Sequence, residues 1–429
     1  MFTIDALDDA GQTDARTRLP GNFLTAVGAH KVKYSGRRRG ELLIQIAGAR
    51  AGFALPMVLL LVLVSGIILA VMMERQTMQT LTVQRELGKR WVVEVGYVGT
   101  RGIHLRETRD GIQSVDAMKH PFTVSDTSGN TYTITTDTFA NAIARTPTPG
   151  LNGYSGYQIF ANDAYSIYHA LQATVSRRWS RSYFQAAYTF SKNIDATSTG
   201  NTAFNTAYND QSNINASRGI SDFNRPHRLS VSYAYELPFF LHATGMKRTV
   251  LGGWEISGVS IFQSGTPFSI FDSSAGTAFL GQGSTPLLGA SLAPGATVAS
   301  GLTSGDVRSR AANGYLNAAA FVPAPLVDPT DCASDSNFCG TGFGDLARNL
   351  YHGPFQQNWD VSFLKHFKIG ERQEIRFAAD FFNLWNHTNF ANPTVTDIET
   401  ASLPASPFGK IVQTVGNPRL IQFSLRWAF

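Results

Sequence analysis

The chain closes on Arg419-Leu420-Ile421-Gln422-Phe423-Ser424-Leu425-Arg426-Trp427-Ala428-Phe429. In an extended strand successive side chains point to opposite faces. Ile421, Phe423, Leu425, Trp427 and Phe429 therefore share one face, and Gln422, Ser424, Arg426 and Ala428 share the other. In water so apolar a strand edge invites pairing with other chains. In a membrane barrel one face meets lipid, the other faces a polar lumen, and closure removes the edge. The stretch reads as a membrane-spanning β-strand.

The same alternation recurs upstream. Strands are expected at Asn358–Phe367, Gln373–Leu384 and Phe408–Val415, with Trp359, Val361, Phe363 and Phe367 on one parity, as are Ile375, Phe377, Ala379 and Phe381. Leu229, Val231, Tyr233, Tyr235 and Leu237 alternate with small or polar residues, and Trp254–Phe262 alternates with a phase slip that predicts a bulge near Gly258. Phe184, Ala186, Tyr188 and Phe190 share a face. So do Tyr165, Ile167, Leu171, Ala173, Val175 and Trp179, with His169 and Arg177 as exceptions. Ser180-Arg181 makes a tight turn between these two runs. Val93, Val95 and Tyr97 lead into a Gly-Thr-Arg-Gly turn at 99–102. Trp179, Trp254, Trp359, Trp385 and Trp427 stand near strand ends, where an interfacial girdle places them. A soluble β-sandwich with core aromatics is the competing reading, but alternations of nine residues or more suit a tilted spanning strand.

Between the strands lie polar stretches at 108–164, with one hairpin expected, at 193–224, and a Gly/Ala/Ser/Pro-rich stretch at 265–355. Long loops of this kind are at home on the extracellular side of a barrel. Composition agrees: of 429 residues only 16% are charged, while 11% are aromatic. The formal net charge of +5 comes without a basic stripe among stacking aromatics, since Arg37-Arg38-Arg39 adjoins an apolar run, so nucleic acid is not expected as a partner.

That apolar run, Phe53–Met73, is uncharged and long enough to span a bilayer as a helix, and the basic residues before it place its N-terminal side in the cytoplasm. Ala51-Gly52-Phe53-Ala54-Leu55-Pro56-Met57 resembles the processing site of a type IV pilin-like protein, a resemblance covering residues 37–80, although Met57 stands where major pilins place a glutamate. A plain single-span anchor is the alternative. The chain accordingly divides into a polar, basic segment 1–50, an apolar transmembrane or pilin-like helix 51–80, and a barrel portion 81–429.

Six further segments bear on family: Val83–Leu87, Glu94–Gly102, Ser221–Arg228, Gly253–Gly258, Gln263–Phe268 and Phe381–Phe390. Together with the last strand they resemble the C-terminal barrel of TonB-dependent, Oar-like outer-membrane receptors, over roughly residues 80–429. The resemblance implies an all-β, antiparallel outer-membrane β-barrel, here a partial one of about ten strands with long extracellular loops, preceded by one apolar N-terminal helix. It implies transport across the outer membrane, lipid as surroundings, and terminal Phe429 as the signal read by the barrel assembly machinery. Such receptors carry a plug and a coupling box that are not recognisable in this sequence, so TonB-type energy coupling is expected only if a plug is supplied elsewhere. An inner-membrane-anchored protein with a β-rich exported domain, and a chimeric reading frame joined near Thr77–Leu81, stand as alternatives.

No catalytic residues are expected. The nine histidines show no metal-ligand spacing, Gly340, Gly342 and Gly344 lack the lysine of a phosphate loop, and no Gly-x-Ser-x-Gly elbow occurs. Neither enzyme activity, cofactor nor metal is expected. Cys332 and Cys339 lie close together in a loop and suit a disulfide in an oxidising compartment, with free thiols as the alternative. Glu236, Glu374, Arg376, Asp380 and Arg426 fall on the polar, lumen-facing parity and are expected to pair across strands, with tuning of permeation as the alternative. Asp222, Arg225, His227 and Arg228 are expected to build a turn.

Overall fold

Alternating side chains make strands here because each strand buries one parity against its neighbours' same-face residues. A computed structural model describes residues 41–45, 78–88, 90–111, 113–125, 128–147, 158–180, 182–198, 208–240, 244–280, 288–327, 340–369 and 373–428. The apolar run 53–73, both cysteines (Cys332 and Cys339) and Phe429 lie outside these residues.

In chain order the strands are β1 (Glu41–Gln45), β2 (Met78–Leu87), β3 (Trp91–Asp110), β4 (Phe122–Ser125), β5 (Thr131–Ile134) and β6 (Gln158–Trp179). There follow β7 (Ser182–Asp195), β8 (Gly219–Ile220), β9 (His227–Glu236), β10 (Trp254–Gln263), β11 (Pro267–Phe268) and β12 (Ser291–Leu292). The last five are β13 (Phe321–Val322), β14 (Tyr351–His352), β15 (Gln356–Ile369), β16 (Gln373–Phe382) and β17 (Leu420–Ala428). One 11-stranded sheet runs β1-β2-β3-β6-β7-β9-β10-β15-β16-β17, with β8 added beside β7. Every pairing along this path is antiparallel except β1 with β2, which is parallel and was not expected from the sequence. Among the described residues β17 has β16 as its one neighbour, its side chains are exposed throughout, and the sheet does not close.

The registers carry one apolar face across the whole wall. Leu81, Tyr97 and Leu171 lie in one row, continued by Phe190. Farther along, Ile256, Phe363, Ala379 and Phe423 form another. The opposite face is polar, as in the row Ser257, Ser362, Asp380 and Gln422. The two ends of the wall differ. At one end β6 passes to β7 through a turn in which Ser180 takes φ 50°, a left-handed conformation that few residues other than glycine adopt readily. β2 and β3, like β15 and β16, are joined at the same end by three residues, against two between β6 and β7. The β3–β6, β7–β9, β10–β15 and β16–β17 connections leave the other end, whereas the β9–β10 connection, with its helix Met246–Leu251, lies at the short-turn end. Three of the four reversals there are short, which suits the periplasmic side by the rule for such barrels.

Four expectations change. Phe408–Val415 is not a strand: Phe408 and Ile411 are buried in a core, and a single bridge joins Thr414 to Phe390. Gly258 makes no bulge, since its register with β9 and β15 is unbroken. It is glycine because a Cβ there would lie 2.5 Å from the Asp360 carbonyl oxygen and 2.9 Å from the Tyr233 hydroxyl. The turn at 99–102 is absent too, as β3 runs on to Asp110 with register shifts between Gly102 and Glu107. Finally, 265–355 is not featureless chain. Phe268, Ile270, Tyr315, Phe321, Leu346 and Tyr351 pack with Ile398, Phe408 and Ile411 into a hydrophobic core that caps the long-loop end. The short helices Thr277–Leu280 and Val307–Asn313 and the ribbons β11–β14 and β12–β13 frame that core. The hairpin expected within 108–164 is present as β4 and β5.

Candidate functional site

Where the polar face meets the cap, the chain builds a cleft of about 370 Å³. Its floor is the polar parity of four strands: Ile261 and Gln263 from β10, Gln356, Asn358 and Asp360 from β15, Phe382 at the end of β16 and Leu420 at the start of β17. Its roof is the turn after β16 and the segment Val415–Pro418.

Asn383 shapes this roof. Its φ of 49°, like the 50° of Asn386, is a left-handed conformation that asparagine tolerates better than most residues. The Asn383 side chain accepts from the His387 backbone N–H at 2.9 Å and donates to the carbonyls of His387 (3.0 Å) and Asn417 (3.2 Å). Its own backbone N–H donates to Asp360 Oδ1 at 2.9 Å. The Asn389 side chain clasps the Gln357 backbone, accepting from its N–H and donating to its carbonyl, each at 2.8 Å. The amides of Asn358 and Asn417 line the cleft without a hydrogen bond to any described protein group, and both are free to meet a ligand. On one wall Gln356 Oε1 accepts from Gln263 Nε2 at 3.0 Å and from Arg225 at 3.2 Å. Burial depresses the basicity of that Arg225 guanidinium, helped by the nearby charge of Arg228.

The arrangement can bind and orient; it offers no nucleophile paired with a base. Among the described residues no group of three His, Cys, Asp or Glu side chains is placed to hold a metal.

The residues expected to pair do so in part. Glu374 accepts from Arg376 Nε at 3.0 Å, two residues along its own strand, and lies 2.7 Å from His366 Nδ1 across the strand pair. Asp380 accepts from the Ser362 hydroxyl. Arg376 faces Arg426 in register, so this pair of like charges does not match the expected cross-strand pairing. The expected turn is confirmed. Asp222 receives Asn349 Nδ2 and Arg348, Arg225 donates to the Ser264 carbonyl at 2.6 Å, and the His227 N–H donates to Ser264 at 3.2 Å.

Sequence reasoning missed the residues that moor the cap. Arg348, buried, pairs with Asp195 at the end of β7 and donates to Ser198 Oγ at 3.0 Å and the Ser217 carbonyl at 3.3 Å. Arg145, fully buried, pairs with Asp137 at 2.8 Å, donates to Asn141 at 2.7 Å, and reaches the carbonyls of Val115 and Ala278. Tyr208, also fully buried, donates to the Leu346 carbonyl at 3.0 Å, and burial pushes its phenol upward. Asn383 and Asn386, both at positive φ, lie within the motif Phe381–Phe390 but were not singled out. Arg348 carries no signal because its partners are distant in sequence, whereas Arg145 has Asp137 and Asn141 nearby.

A family model described as outer membrane beta barrel domain matches residues 72–422. Among solved structures, the outer membrane transporter YddB from Escherichia coli is similar at 10% identity and a TM-score of 0.35. That match covers 82% of this chain and 32% of YddB, so the chain spans about a third of that transporter's length. No curated protein matches the chain.

Proposed function

The chain belongs to the outer-membrane β-barrel domain family, and from that premise we propose that it forms the wall and outer mouth of a TonB-dependent, Oar-like uptake receptor. The observation that carries this reading is the joining of a two-faced wall to a folded cap, with the amide-lined cleft at their junction. A passive wall needs only loops at its outer end. A receptor needs an ordered surface that holds a solute before passage, and the cap with its cleft supplies one. The ordered motifs at Ser221–Arg228 and Phe381–Phe390 support the Oar-like assignment, because both build the rim on which that surface rests. Passage would be driven through a plug engaged by the energy-coupling protein, and binding rather than catalysis is the role of this portion.

The test is uptake. Cells carrying the protein should take up its solute only while the inner membrane is energised and the coupling protein is present. Uptake that persists without either would mark a passive pore. Recovery of the protein in the inner-membrane fraction would remove the proposal altogether.

A further inference from the structure

The apolar face carries a basic side chain at a place where lipid headgroups would meet it. Arg177 lies on β6 two residues from the short-turn end, on the parity of Val175 and Ala173. In register it falls between Trp91 of β3 and Phe184 of β7. Its guanidinium carbon stands 5.0 Å from the Trp91 ring centre and 5.1 Å from that of Trp179. The rings are held in turn, Trp91 edge-on to Phe184 at 6.3 Å and Trp179 against Tyr235 at 6.3 Å.

Two tryptophan rings attract a cation but do not neutralise it. Nε of Arg177 is shut away without an acceptor, and among the described residues no carboxylate or carbonyl takes any hydrogen from this guanidinium. A cation on a lipid-facing surface is costly unless an acceptor reaches it. Trp91, Trp179 and Tyr235 mark this rim as interfacial in depth, where phosphates lie. Arginine's planar fork suits a phosphate's oxygens. Three other polar side chains on the same face, Lys365, His169 and His227, find partners within the protein. Lys365 is buried, donates to the Gly252 carbonyl and lies 5.2 Å from the Phe367 ring centre. Near the opposite rim His169 meets the Tyr97 hydroxyl at 2.6 Å, and His227 meets that of Tyr188 at 2.7 Å.

We propose that Arg177, clamped between Trp91 and Trp179, binds the phosphodiester of a membrane glycerophospholipid at the periplasmic rim. This rests on the membrane placement of the apolar face and is independent of what the barrel carries.

Native mass spectrometry of the full chain, folded in detergent micelles, tests it with phosphatidylglycerol and with diacylglycerol of the same acyl chains. The protein should retain phosphatidylglycerol in preference to diacylglycerol. Arg177→Gln should lower that retention by about tenfold, the worth of one charge-assisted hydrogen bond. Arg177→Lys, which keeps the charge and loses the fork, should fall between, and it serves as the test should Arg177→Gln fail to fold. Equal retention of the two lipids, or retention unchanged in a folded Arg177 variant, overturns the proposal.

Discussion

The two ends of the wall are built on opposite economies. At the short-turn end three of the four reversals take only a few residues, and side chains there are interfacial aromatics and cations: Trp91, Arg177 and Trp179, with Trp254 and Trp427 on later strands. At the long-loop end the chain invests in a cap with its own hydrophobic core and in fully buried polar groups such as Arg145, Asp137 and Tyr208. The difference teaches where order comes from. Ser180 is set by the strands it joins, since the register of β6 with β7 is continuous up to Trp179 and Ser182. The cap is ordered by tertiary contacts between segments far apart in sequence, so losing one partner is felt across the whole cap.

The comparison breaks most visibly at Arg145. Arg145→Met leaves Asp137 buried without its cation, and removing one partner of a buried pair costs about 3–5 kcal/mol. Hydrogen exchange should show the segments around 113–146 and 277–280 opening together while the strands of the wall stay protected. Equal loss of protection in the wall would mean that the two ends are not separately ordered.

Asn383→Ala is expected to cost less, about 1–3 kcal/mol, through the buried groups left without partners. Limited proteolysis should then cut within 384–418 but not at the short turns. Resistance equal to the parent's would show that the cleft roof is held by other contacts.

At the short-turn end, Ser180→Gly should relieve a left-handed residue and raise stability by about 1 kcal/mol, read as a higher urea midpoint in micelles. A lowered midpoint would show that the Ser180 side chain matters more than its backbone.

The smallest effect is a pH dependence confined to the cap. Burial lowers the pKa of His352 below its ordinary value of 6.5, so the folded cap holds this ring neutral while the unfolded chain takes up a proton first. The stability tied to the neutral ring is therefore fully present above about pH 6.5 and is lost as pH falls through the lower folded value. Hydrogen exchange of 351–354 should quicken on acidification in the parent and change less in His352→Gln. The same acid response in both would assign it to other groups.

Much of the wall was readable in advance. The expected strands around Val93, Val175, Phe184, Val231, Ile256, Phe363, Phe377 and Phe423 all exist, because a half-lipid, half-lumen strand must alternate whatever its neighbours do. The cap was not readable. Phe268, Phe321, Tyr351 and Phe408 meet in one core yet come from four short segments, none long enough to show a period. For that reason Phe408–Val415 imitated a strand, and 265–355 passed for loose chain. The cleft was half legible: the motif Phe381–Phe390 was visible, but its meeting with Asn358 and Asn417 depends on which strands become neighbours.

The sequence by itself determined that this protein has a two-faced wall, that one tight turn falls at 180–181, and which parity is apolar, because the wall and its parity follow from alternation within one strand. Only the tertiary structure decided that the long connections fold into a cap, that Arg348 and Arg145 moor it, and that Arg177 stands between two tryptophans. Those outcomes join residues on different strands and loops, and their energies exist only once register has brought the partners together.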